Sequence, residues 1–259
     1  MTPISVNQIG EWILAERARL GEGVLAFDAD GTLWSGDVAE DFVHDAIREG
    51  WFRAETYDAL STELKKFGLA PAASATGCLA ALFHAYEQGQ YPSHLMCETI
   101  AWASAGYTEW EAQARATIAL QRAGLLQRAR AEMRAVMSVA ATAKIDVYVV
   151  SASPTYVVRA GLEVAQFNVQ GVIGVDAEQD AHGVFLPRPI RPIPHGPGKV
   201  SGLRAVAGSS PLLAAFGDNW LDAHLLRESA LPVGVYPKQR LLDIASEIPG
   251  LRLLTPAQP

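Results

Sequence analysis

The stretch Val24-Leu-Ala-Phe-Asp28-Ala-Asp30-Gly-Thr32-Leu-Trp34 decides how this chain is read. Four apolar residues run straight into two carboxylates one residue apart, with Gly-Thr following at once. An apolar run without polar alternation reads as a parallel strand covered on both faces. Gly31 then permits a sharp turn, which leaves Asp28 and Asp30 at the strand's carboxyl end, where open α/β sheets bind ligands. Two acids this close repel each other, so the pair calls for a divalent cation or a shared proton. Asp and Gly are also ordinary turn formers, so the motif alone does not separate a site from a solvated junction.

Working outward, residues 7–20 read as an amphipathic helix closed by Gly21 and Gly23. From about residue 38 to 142 the pattern is almost entirely helical, with breaks at Gly50, Gly68–Pro71, Gly89–Pro92, Gly106 and Gly124. Thr108 with Glu111 reads as a capping box. Strand character returns at Ile145–Val150, and strands and helices alternate afterwards. Gly171–Val175 and Val184–Leu186 are expected to form a hairpin around Asp180–Gly183, and Leu186–Pro197 a rigid loop. Leu212–Phe216, Leu231–Val235 and Leu251–Leu254 read as further strands. The expected architecture is α/β: a Rossmann-like, mostly parallel sheet flanked by helices, built from residues 1–37 and 143–259. Residues 38–142 form an all-helical cap inserted after the first strand.

Composition narrows the partners. With 49% apolar and 19% charged residues among 259, the chain can bury a substantial core. A net charge of −7 disfavours nucleic acid, which requires a basic face. No apolar stretch is long enough to span a membrane, and the first residues lack the basic start and apolar block of a signal peptide. Two cysteines, Cys78 and Cys97, suit a reducing cytoplasm and read as buried small hydrophobes. The histidines show no i, i+4 pair, so a histidine metal site is not expected. Nothing in the sequence fixes an oligomeric state.

Three later segments also put polar residues directly behind apolar strands. In Val147-Tyr-Val-Val-Ser151-Ala-Ser153-Pro154, Ser153 reads as a helix cap with Pro154 at the first helical position. Ser151 then sits at a strand tip beside helix N–H groups, a ready anion site. His195-Gly-Pro-Gly-Lys199-Val departs from a Walker A loop, lacking its first glycine and carrying Val200 after the lysine. Ala214-Ala-Phe-Gly217-Asp218-Asn219-Trp-Leu-Asp222 ends another apolar strand in Gly-Asp, and Asp222 follows Asp218 by about one helical turn.

The ordered set Asp-x-Asp-Gly-Thr, Ser, Lys, Gly-Asp-Asn-x-x-Asp resembles the haloacid dehalogenase superfamily. The long helical insertion between the first two motifs resembles its phosphoserine phosphatase-like branch. That resemblance implies a Mg²⁺-dependent phosphatase acting on a small phosphomonoester through an aspartyl phosphate. Asp28 would be the nucleophile and Asp30 the acid and base. Mg²⁺ would be held by Asp28, Asp218 and the Asp30 backbone carbonyl. Lys199 would offset negative charge, and Ser151 with Thr32 and Ser153 would hold the phosphoryl group. Asp222 and Asn219 would stand behind these groups, Asp222 orienting Lys199 or a metal-bound water. Asp30 argues against halide displacement, which needs no proton. A phosphotransferase or phosphomutase, and a silent phosphometabolite-binding protein, are the alternatives.

The substrate is less legible. Asp37 matches the position of a substrate-binding acid in phosphoserine phosphatases, yet Asp37 with Glu40 also reads as a helix N-cap. The substrate reading is phosphoserine-like or another phosphorylated amine. Trp34 and Trp220 are either aromatic partners for an alkylammonium group or core residues. Arg48 and Arg53 either meet a substrate carboxylate or sit solvated on a helix face.

Overall fold

The computed structural model describes residues 4–255. Among the described residues eight strands form: β1 (Val24–Phe27), β2 (Asp146–Pro154), β3 (Gly171–Val175), β4 (Ala177–Gln179), β5 (Phe185–Pro189), β6 (Leu212–Gly217), β7 (Leu231–Val235) and β8 (Arg252–Leu254). Six of them make one sheet of order β3-β2-β1-β6-β7-β8, parallel at every pairing. Strand order reverses at β1, between β2 and β6. Crevices at such reversals, beyond the carboxyl ends of the strands, are where open parallel sheets bind ligands.

β1 is buried along its whole length, and its side chains divide between two apolar clusters. Leu25 and Phe27 join one, Val24 and Ala26 the other. Successive residues of a strand face opposite ways, so with both faces covered the sequence shows no polar alternation. Phe27 stacks on Phe216 of β6 with ring centroids 4.2 Å apart. Such a pair adds about 0.5–1.5 kcal/mol beyond area burial, next to the motif it positions.

Helix α1 (Val6–Leu20) starts at a Ser5–Gln8 capping box and stops at Gly21, close to its expected limits. Between β1 and β2 lie α2 (Val38–Arg48), α3 (Tyr57–Lys66), α4 (Ala75–Glu87), α5 (Ser93–Trp102), α6 (Glu109–Arg122), α7 (Leu125–Arg128) and α8 (Ala131–Thr142). No strand interrupts this run, and the Thr108–Glu111 capping box opens α6 as expected. The remaining helices are α9 (Thr155–Val164), α10 (Gly198–Ala207), α11 (Ala223–Glu228) and α12 (Gln239–Asp243). α6 packs along α9, and α5 against β2 and β5, whereas α8 packs on α1 and β2 beside the sheet. No helix among the described residues is long and apolar enough to cross a membrane.

The expected hairpin forms differently. β3 pairs in parallel with β2 at the sheet edge, and the antiparallel partner of β5 is β4. The turn is where it was expected, with Asp180 accepting the His182 and Val184 N–H groups. A turn this tight pairs only the residues immediately beside it, which leaves Gly171–Val175 free for the sheet. Leu186–Pro189, expected in a loop, belongs to β5; prolines are tolerated there because the strand lies in a two-stranded sheet with open edges.

Candidate active site

Motif residues from β1, β2, α10 and β6 meet at the carboxyl edge of the sheet. Asp28 follows β1 directly, and its N–H donates to the Phe216 carbonyl at 2.8 Å. Gly31 turns the chain at φ +83°, and a Cβ there would lie 2.0 Å from Asp218 Oδ2. Only glycine allows both that backbone conformation and that approach. Lys199, at the start of α10, is 3% exposed and donates to Asp28 Oδ1 at 2.5 Å and Asp222 Oδ1 at 2.6 Å. Burial opposes its charge, but the Asp222 and Asp28 carboxylates outweigh that and raise its pKa.

Asp222 is fully employed. Its second oxygen accepts the backbone N–H groups of Asp218 (3.1 Å) and Asn219 (2.9 Å), so it braces the turn after β6 while aiming Lys199. Asn219 caps the same turn through its side chain. Thr32, expected to bind substrate, is completely buried and absent from the cavity wall; its hydroxyl donates to Asp28 Oδ2 at 3.2 Å. It therefore orients Asp28, because the turn at Gly31 folds it back beneath the carboxylate.

Asp30 faces the cavity and accepts three hydrogen bonds. Trp34 Nε1 and the Val38 N–H reach Oδ1, both at 2.8 Å, and Ser153 Oγ reaches Oδ2 at 2.6 Å. Ser153 was expected to cap the following helix. Instead β2 continues to Pro154, α9 begins without a side-chain cap, and the Ser153 hydroxyl crosses to Asp30. Ser151 Oγ accepts the Ser153 N–H at 3.1 Å, leaving its own proton free to donate into the cavity it lines. Trp34 is wholly buried, so its indole serves Asp30 and the core and meets no ligand face-on.

Carboxylate oxygens of Asp28, Asp218 and Asp222 lie within 4.8 Å of one another, and all three residues are buried. Burial, and next the Asp222 charge, push the Asp28 carboxyl well above its ordinary range despite Lys199. Asp218 is raised by burial, against the pull of Lys238 2.9 Å away. Such a surplus of buried, oxygen-bearing negative charge fits a hard divalent cation. Asp28, Asp218 and Asp222 are the side chains that could hold such an ion, Asp222 also bracing the turn after β6.

These groups line one cavity of about 500 Å³, closed on its far side by α2, α4 and α5. Asp37 caps α2, accepting the Ala39 and Glu40 N–H groups on Oδ1 alone, and also lines the cavity. Both readings of Asp37 as a cap and as a cavity acid thus describe one residue. Arg48 and Arg53 lie off the cavity: Arg48 pairs with Asp45 and Glu49, and Arg53 stacks over Tyr107 beside Glu111. Trp220 is 43% exposed and likewise off the wall. Cys78 is buried as expected, but Cys97 lines the cavity, its thiol pushed up to about 12 chiefly by burial.

Sequence reasoning missed Glu40, Tyr86, Met96, Arg130, Tyr236 and Lys238 as cavity residues. A signal existed for the last two. Val235 ends an apolar strand as Phe27 and Phe216 do, so the residues behind it were candidates by the same rule. Glu40, Tyr86 and Met96 come from helices whose facing depends on tertiary packing, and Arg130 from the junction before α8.

The family model for haloacid dehalogenase-like hydrolases matches residues 25–227. No curated protein matches the sequence. Among solved structures, a Bordetella pertussis Tohama I protein of unknown function superposes with TM-score 0.66 at 19% identity, over 90% of this chain and 98% of that one. A conserved protein of unknown function from Anaerococcus prevotii DSM 20548 gives 0.64 at 16% identity, over 94% and 91%. A substrate-bound phosphoserine phosphatase gives 0.51 at 12% identity, over 90% and 93%. At these identities the likeness is one of fold.

Proposed function

The chain belongs to the haloacid dehalogenase-like hydrolases, and from that premise we propose that it is a phosphatase of small phosphomonoesters. The observation that carries this reading is Asp30, a carboxyl held on the cavity wall beside the buried Asp28–Lys199 pair. Halide departs without a proton, whereas the alcohol of a phosphomonoester departs with one.

Asp28 is the nucleophile. Lys199 and Thr32 fix one oxygen each, so the attacking lone pair is oriented before substrate arrives. An Asp28 oxygen bonds to phosphorus as the phosphorus–ester oxygen bond breaks, and Asp30 gives its proton to the departing oxygen. The Asp30 carboxylate then takes a proton from water. That water oxygen bonds to phosphorus, the Asp28–phosphorus bond breaks, and inorganic phosphate leaves with Asp30 protonated again. For the acid state the proton belongs on Oδ2: Ser153 Oγ can turn from donor to acceptor, while the two N–H donors on Oδ1 cannot. The Ser151 hydroxyl offers a hydrogen bond to the phosphoryl oxygens. Mg²⁺, held by Asp28, Asp218 and the Asp30 carbonyl, supplies positive charge to the phosphoryl group when bound.

We assign the core to residues 1–37 with the chain from α8 onward, since α8 packs on α1 and β2. Of the helices between 38 and 128, α2, α4 and α5 line the cavity, and we place the end of the cap near 128 instead of 142. Residues 1–3 and 256–259 of that core lie outside the described residues.

The test is phosphate release from a generic aryl phosphate with Mg²⁺ and with a chelator. Release that needs the cation and no acceptor alcohol is expected. Turnover undiminished by thorough chelation would remove the metal, and turnover only with an acceptor would establish a phosphotransferase. No turnover by intact, Mg²⁺-loaded protein would leave a binding protein.

A further inference from the structure

The cavity carries an uneven charge distribution that the two-step chemistry does not use. Six carboxylates line it, Asp28, Asp30, Asp37, Glu40, Asp218 and Asp222, against the three fixed cations Arg130, Lys199 and Lys238. Each cation is held at the sheet edge, the two lysines by carboxylates and Arg130 by a carbonyl. Lys199 bridges Asp28 and Asp222, Lys238 lies 2.9 Å from Asp218, and Arg130 donates to the Gly31 carbonyl at 3.0–3.1 Å while stacking on Tyr236. His195, the remaining basic residue on the wall, is held toward its neutral form by burial, His94 and Lys199.

The helical side is different. Asp37 Oδ2 and both Glu40 oxygens make no hydrogen bond or ion pair among the described residues. They stand at the first turn of α2, whose leading N–H is bonded to Asp30. Helical rise is about 1.5 Å per residue, so Glu40 lies only a short alkyl spacer beyond the acid that meets the leaving oxygen. Tyr86, Phe83 and Met96 complete this end of the cavity. The Tyr86 phenol is pushed up to about 12, by burial first and then by the Glu40 and Asp37 charges.

Taking the phosphatase reading above as given, we propose that the substrate is a phosphorylated amino alcohol that carries no carboxylate. Its ammonium group sits against Glu40 and Asp37, beside Tyr86 and Phe83. Carboxylates flanked by aromatic and thioether surface suit an alkylammonium group, primary or quaternary. A substrate carboxylate there would stand among unpaired acids, with Lys199 and Lys238 already paired and Arg130 held on the Gly31 carbonyl. This separates the chain from a phosphoserine enzyme despite the shared fold.

The experiment compares kcat/KM for phosphoethanolamine, phosphocholine, O-phosphoserine and glycerol 2-phosphate, with an aryl phosphate as reference. The better of the two amine esters should exceed both phosphoserine and glycerol phosphate by about tenfold or more. Glu40→Gln and Tyr86→Leu should each shrink the amine-to-glycerol ratio several-fold. A wild-type preference for phosphoserine or glycerol phosphate overturns the inference, as does a ratio unmoved in both variants. Calorimetric binding of the same four esters to Mg²⁺-loaded Asp28→Asn protein reads the order without turnover. The amine order in binding, with no phosphate released from any ester by wild type, overturns the phosphatase reading alone. Aryl phosphate turnover without the amine order overturns this inference alone, and absence of both overturns both.

Discussion

The sheet edge and the helical side of the cavity treat their carboxylates in opposite ways. At the sheet edge every acid has a partner: Asp28 and Asp222 share Lys199, Asp218 meets Lys238, and Asp30 accepts three hydrogen bonds. On α2, Glu40 and one oxygen of Asp37 face the cavity with no such partner. A carboxylate with a fixed partner is oriented for chemistry; a half-buried one facing the cavity without a partner is open to a ligand charge. The difference teaches that the reaction is written on the strands and the selectivity on the helices.

The largest effect that tests this division is at Asp28. Asp28→Ala should lower phosphate release by about a thousandfold or more and abolish any covalent phosphate adduct, read by intact mass after rapid acid quench. An adduct retained in the variant would move the nucleophile elsewhere and break the comparison at its root. Asp30→Asn comes next. It should cost an alkyl phosphate about a hundredfold or more but an aryl phosphate much less, because a phenolate leaves without a proton. Equal fractional losses would deny Asp30 the role of acid.

The strand side was legible because Asp28, Ser151 and Asp218 sit at the ends of apolar runs that the parallel sheet brings together, with Lys199 added from the start of α10. The order Asp28, Ser151, Lys199, Asp218 thus pointed to a mostly parallel sheet and to residues that share one cavity. What the local pattern misjudged were side chains whose partners are remote in sequence. Ser153 has the local look of a cap, yet its hydroxyl crosses to Asp30. Thr32 looks like a phosphate ligand, yet it turns under Asp28. On the helical side, Glu40 and Tyr86 lie on different helices with no spacing relation, so only tertiary packing reveals that they face one space. The hairpin was misassigned because Gly171–Val175 is apolar enough for either sheet, and adjacency to β2 decides.

A smaller effect concerns the charge surplus itself. In the chelated protein, burial holds the Asp28, Asp37 and Asp218 carboxyls above the ordinary 3.8. Between that value and their raised folded values the folded chain binds more protons than the unfolded chain. Stability therefore falls as pH rises through that window, and is regained as pH falls within it. Tm in chelator should rise by a few degrees (roughly 1 kcal/mol) as the buffer moves from neutral toward mildly acidic. Mg²⁺, which favours the ionised sheet-edge acids, should flatten or reverse that slope. A Tm that falls steadily on acidification in chelator would mean these acids are already compensated.

The smallest effect is the one expected at Arg48 and Arg53, and it sharpens the comparison from the helical side. Both lie early in the helical insertion, Arg48 in α2 and Arg53 in the segment after it, where a phosphoserine-type site would want a cation for the substrate carboxylate. Arg48 is 61% exposed at its side chain and pairs with Asp45, which Arg115 also meets at 2.5 Å. Arg53 stacks on Tyr107 with its guanidinium carbon 3.8 Å from the ring centroid. Neither lines the cavity. Arg48→Ala should therefore cost within about 0.5 kcal/mol of stability, since exposed pairs contribute little and Arg115 still holds Asp45. Arg53→Ala should cost about 1 kcal/mol through the lost cation–π contact. Neither should move the ratio of kcat/KM between phosphoethanolamine and O-phosphoserine by more than roughly twofold, the scale of a remote surface change. A selective collapse of phosphoserine turnover in either variant, with Tm held, would show that an arginine reaches the bound substrate. The helical side would then read two charges of the ligand, an ammonium and a carboxylate, where the paired arginines leave room for one.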